Sequence, residues 1–81
     1  MKVYLLSQNE NDNYDTYNAM VVCAEDEEQA RHITPDDLDF NTYTTRTHWC
    51  SSPDKVTVTH IGEASSYYKE PTIVLASFNA S

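Results

Sequence analysis

His48, Trp49 and Cys50 form the tightest grouping of soft, ligand-capable side chains in the sequence, and Cys23, His32 and His60 are scattered around them. A zinc site needs four convergent ligands and usually shows them as closely spaced pairs such as CxxC or HxxxH. Neither pattern occurs here, so the expectation is no metal and solvated His32 and His48, with His60 at a strand end. The polar run Asn9 to Asp15 has the look of a calcium loop. However, it lacks glycine at the sixth position and places Met20 or Val22, not Glu, where the twelfth ligand belongs. Phosphate-cradling loops need several glycines, and the chain has one, Gly62. No nucleophile elbow is present. A chain of 81 residues also has little room to enclose a substrate-sized pocket. The expectation is therefore a binding protein with no cofactor and no catalytic residues.

Acidic side chains are the informative chemistry. The chain carries thirteen Asp and Glu against five Lys and Arg, a formal net charge of -8. Such a charge disfavours direct contact with nucleic acid or an anionic membrane and favours basic partners. Glu25, Asp26, Glu27, Glu28, Asp36, Asp37 and Asp39 fall within fifteen residues whose only base is Arg31. Asp12 and Asp15, with Glu10, are candidates to join them in space. Carboxylates spaced several Å apart can imitate nucleic-acid phosphates and dock on Lys and Arg that otherwise hold DNA or RNA. A capped helix terminus followed by a solvated loop is the plainer reading of the same residues. Six tyrosines are the second feature, with Tyr14, Tyr17, Tyr43, Tyr67 and Tyr68 expected in loops. Loop tyrosines supply rigid contact area with a polar tip, or else seal the rim of a thin core. Tyr14 and Tyr17 are the ones placed with the acidic candidates.

The elements that must position these residues read as one α+β domain over 1–81, in the order β-β-α-β-β. Lys2 to Leu6, Ala19 to Ala24, Lys55 to Ile61 and Thr72 to Phe78 have strand composition. Lys55 to Ile61 alternates most clearly, with Val56 and Val58 inward and Thr57 and Thr59 outward, and Gly62 is expected to end it. Glu25 to Ile33 reads as a helix, with Asp26 as N-cap, Gln29 three residues on, and acids in its first turn. Pro35 cannot continue it. Residues 36–53 read as irregular or only locally ordered, with Phe40 and Trp49 anchored on the core. Short connections favour a mainly antiparallel four-stranded sheet. Three of its strands are apolar on both faces, yet one short helix covers one face. The second face must be covered by 36–53 or by a partner, so monomer and homodimer both stay open. Cys23 and Cys50 are expected free and buried, a disulfide between them being the alternative. The apolar run Val3 to Leu6 is too short for a signal peptide, and no stretch approaches the ~20 apolar residues of a membrane span. The expectation is a cytoplasmic location with no membrane partner.

Three segments, VYLLSQNENDNYDTYNAMVVCAEDEEQAR (Val3–Arg31), WCSSPDKVTVTHIGEA (Trp49–Ala64) and IVLASFNAS (Ile73–Ser81), resemble a group of small uncharacterised proteins of tailed phages and prophages. The YDTY stretch and the LASFNA ending carry most of that resemblance. It contains no catalytic motif. It implies an anti-defence role in the host bacterial cell, in its sharpest form an anti-CRISPR protein. In that form the acidic face occupies a basic nucleic-acid channel of an effector complex and blocks target DNA binding. The alternative is a phage accessory or structural protein that acts as an interaction module, with a homodimer through the second sheet face as one form of it.

Overall fold

The computed structural model describes residues 1–11, 16–35, 40, 42–65 and 69–79. Strand β1 (Lys2–Ser7) pairs antiparallel with β2 (Thr16–Ala24), placing Leu6 opposite Met20 and Tyr4 opposite Val22. The five-residue helix α1 (Glu27–Arg31) follows, then a second helix α2 (Tyr43–His48) and a 3-10 turn (Pro53–Lys55). Strands β3 (Thr57–Glu63) and β4 (Thr72–Asn79) flank the first two, giving an antiparallel sheet in the order β3-β1-β2-β4. The fold is α+β, as the alternation of apolar and polar runs implied. β1 and β2 are the central strands, which explains why neither carries a polar face.

Helix α1 starts where its sequence directs. Asp26 has extended backbone and its Oδ1 accepts the Gln29 amide at 2.7 Å. The Gln29 side chain reaches back and accepts the Glu25 amide at 2.7 Å, one residue before the cap nitrogen of a standard capping box. α2 lies inside the stretch read as irregular or locally ordered. It is capped by Thr42, whose Oγ1 accepts the Thr45 amide at 3.2 Å and donates to Thr45 Oγ1 at 2.9 Å. A threonine-rich run has low helix propensity. Here Thr45 and Trp49 are fully buried, so tertiary packing supplies what propensity lacks.

One core forms on one side of the sheet. Tyr4, Leu6, Met20, Val22 and Ala24 meet Ala30 of α1 and Trp49, Cys50 and Val56 from the segment after α2. Fully burying such side chains contributes about 1.5–3 kcal/mol each. Phe40 packs against this cluster and Trp49 is buried within it, as expected of both anchors. Both cysteines are free and buried. Cys23 lies between the core residues Val22 and Ala24 on β2, so strand alternation turns it to the other sheet face from the cluster that holds Cys50.

Two expectations need correction. Gly62 does not end β3. It lies within the strand at a bulge, where Val3 faces Gly62, Tyr4 faces His60, and Ile61 is left without an opposite residue. His60 is consequently mid-strand, with its ring 5.4 Å from that of Tyr4. Among the described residues, no helix is long and apolar enough to cross a membrane.

The described part of 36–53 shares the core side with α1. Among the described residues, no helix packs on the other sheet face. There β1, β2 and their neighbours present cross-strand rows set by the register, including Thr59, Leu5, Val21 and Leu75.

Candidate functional site: an acidic corner

The turn from β2 into α1 exposes four consecutive carboxylates, Glu25, Asp26, Glu27 and Glu28. Two devices put them there. Ala24 is the last buried residue of β2, and Ala30 is the first buried residue of α1. The intervening chain must turn through solvent. The Asp26 cap then fixes the first turn so that Glu27 and Glu28 point away from the sheet, at the positive end of the short helix.

These four groups are not equivalent. Asp26 is committed to the Gln29 amide. Glu27 Oε1 lies 3.2 Å from Arg31 Nη2, with the Glu27 side chain 64% exposed. Arg31 is itself tied inward, because its Nη1 donates to the carbonyls of Val56 at 2.7 Å and Pro53 at 3.2 Å. Its guanidinium therefore fastens α1 to the 53–56 turn, and it offsets the corner only on one flank. Glu28 is 77% exposed and 3.6 Å from His32 Nδ1, which also contacts the Glu28 carbonyl at 2.9 Å.

The strand order brings one further carboxylate, Glu63, to the same end of the sheet, 3.8 Å from His60 Nε2. Lys2 pairs with Ala24 on one side and Glu63 on the other. Glu63, exposed at the end of β3, thus sits two strands, roughly 10 Å, from the end of β2, with Lys2 between them. Only the strand order brings it there, since 38 positions separate Glu25 from Glu63.

Other candidates fall elsewhere. Glu10 holds the fold together and does not join the corner. Its carboxylate accepts the Ser51 amide at 2.7 Å and the Ser51 hydroxyl at 3.0 Å, clamping the loop after β1 to the segment after α2. Buried Gln8 and half-buried Asn11 complete that clamp, with the Gln8 amide donating to the carbonyls of Asn11 and Tyr17, and Asn11 donating to the Thr47 carbonyl. Tyr17, expected in a loop, is the second residue of β2, half-buried and packed against the core. Tyr43 opens α2 and is exposed, and Tyr4 is buried. Asp12, Tyr14, Asp15, Asp36, Asp37, Asp39, Tyr67 and Tyr68 lie outside the described residues.

The chemistry of the corner is that of a fixed negative surface. Among the described residues no three His, Cys, Asp or Glu side chains converge as metal ligands. The Cys50 thiol is pushed from its ordinary 9.0 up to about 11, chiefly by burial, so it is a packed, protonated group. Comparisons with known proteins found no matching family model, no matching curated protein and no matching solved structure.

Proposed function

We propose that this chain is a non-catalytic protein-binding module whose acidic corner docks on a basic surface, and that it serves as a phage-encoded inhibitor of host defence acting in the bacterial cytoplasm. The observation that supports the binding mode is the run Glu25–Glu28, four consecutive exposed carboxylates held by a capped helix turn. A preformed array costs little ordering entropy on binding, unlike the same charges on a loose tail. It also competes for the cations that grip phosphate. The resemblance of three segments to small phage proteins supports the biological setting, with a CRISPR effector complex as the sharpest choice of target.

The test is a pull-down with tagged chain from a host carrying CRISPR effector complexes, washed at low and then high salt. Capture of an effector that weakens with salt, together with loss of target DNA binding by that effector, is the expected result. Retention of full DNA binding by effectors saturated with the chain at low salt would remove the inhibitory reading.

A further inference from the structure

Strand β4 leaves one edge of the sheet open. It pairs with β2 on its inner side, and among the described residues its backbone makes no other hydrogen bond. Alternate N–H and C=O groups along Thr72–Asn79 therefore face outward, as a template for one more strand. Edge strands are commonly kept from such pairing by charge, by proline or by being very short. β4 uses none of these, since its eight residues, TIVLASFN, include no Asp, Glu, Lys, Arg or Pro. Its bulge at Val74 twists the strand without ending it. The opposite edge is guarded. β3 carries His60 and Glu63, Lys55 comes just before it, and Arg31 holds the carbonyl of Val56.

We infer that β4 is a docking edge for an extended segment of a partner protein, which adds as a fifth strand and is cationic at the end beside Thr72. The inference rests on the acidic-corner reading only for the sign of the partner's charge. Unpaired backbone donors and acceptors on a strand are matched by another strand, and side chains then set the choice of sequence. Val74 is 45% and Leu75 66% exposed on this edge. Beside them runs a shallow apolar groove of about 160 Å³, lined by Leu5, Ala19, Met20, Val21, Leu75 and Ser77. Ser77 is small, so an apolar side chain of the added strand reaches past it into the groove. Charge fixes the other end. Cys23 lies opposite Thr72, which puts the start of β4 one strand from the end of β2. Exposed Glu25 follows β2, and exposed Glu70 precedes β4. A fifth strand ends roughly 10 Å from the end of β2, a gap that a Lys or Arg and a Glu side chain close between them. The net charge of -8 on each chain opposes a second copy in the same place and favours a basic segment.

The probe is a short blocked peptide of alternating Val and Thr ending in two Lys, added to the isotopically labelled whole chain and followed by amide shifts and hydrogen exchange. Pairing antiparallel to β4 sets its C-terminal lysines beside Thr72. A control peptide with Pro in place of each Val keeps the charge and lacks the amides that extend a sheet. The expected result is saturable protection of amides within Leu75–Asn79 by the first peptide and none by the control. Affinity should fall with salt, and at least about threefold in the Glu25→Gln, Glu70→Gln variant. No change along β4 at peptide concentrations up to about a millimolar, or equal binding of both peptides, would overturn the inference. So would β4 amides protected in the free chain in a concentration-dependent way, which assigns the edge to a second copy. Changes confined to Glu25–Arg31 would also overturn it while leaving the acidic corner standing, and full affinity in the Gln variant would overturn the cationic end.

Discussion

Three residues carry testable consequences at the residue scale. Asp26→Ala removes the acceptor for the Gln29 amide, and thermal or urea unfolding should show a loss of about 1 kcal/mol. Gly62→Ala should do the opposite. A methyl group there meets nothing within 4 Å, so the substitution restricts the unfolded chain without a clash and should stabilise by roughly 0.5 kcal/mol. Cys50 sets an alkaline limit. Burial holds its proton more tightly in the folded than in the unfolded chain, so this contribution to stability is complete below pH 9.0 and is lost as pH rises toward about 11. Urea midpoints of wild type and Cys50→Ala should therefore converge on the alkaline side of that window. Below pH 9.0 the native thiol should resist alkylation. Trp49 shows packing outweighing a lost hydrogen bond. Its indole N–H is buried with no acceptor among the described residues, and the ring stays because of its packing in one cluster with Leu6, Met20 and Val22.

At the scale of elements, α1 shows how much is legible in the sequence. Its cap and acidic first turn are local signals and the helix starts where they point, but it stops at Arg31 with His32 as C-cap, short of the Ile33 that the reading to Pro35 implies. α2 was less legible because its stability comes from buried Thr45 and the Trp49 that follows it, which are long-range contacts that a threonine-rich sequence does not announce. Gly62 is illegible for a related reason: a lone glycine reads as a terminator, whereas the bulge opposite Val3 and Tyr4 is a property of two strands together. Glu63 comes two strands from the end of β2 through strand order alone, with Lys2 between them, and Tyr17 belongs to the core because β2 begins at Thr16. α1 also decides how the corner should be tested. Reversing Glu27 to Lys would set it against Arg31, which fastens the helix to the 53–56 turn, and would place a cation at the positive helix end. Neutralising Glu25, Glu27 and Glu28 to Gln leaves the Asp26 cap intact. It should lower affinity for a basic target at least about tenfold, with stability changed by less than about 1 kcal/mol as read by thermal unfolding.

Among the described residues the molecule is two-sided: a sheet with helices and a packed core on one side, and on the other cross-strand rows that set Leu5, Val21 and Leu75 among serines and threonines. The acidic corner stands at the end of β2, where the chain crosses to the helical side. A thin domain of this size has a small reserve of stability, so placing charge on an exposed turn and apolar surface on the sheet separates the two kinds of contact without disturbing the core. Docking through the corner requires electrostatic complementarity, which sets a characteristic salt dependence. The most direct measurement is target DNA binding by a purified CRISPR effector complex, titrated with wild-type chain and with the Glu25→Gln, Glu27→Gln, Glu28→Gln variant at low and high salt. Inhibition by the wild type that weakens steeply with salt, and is largely lost in the folded variant, is the expected result. Equal inhibition by both proteins, unchanged by salt, would contradict binding through the acidic corner.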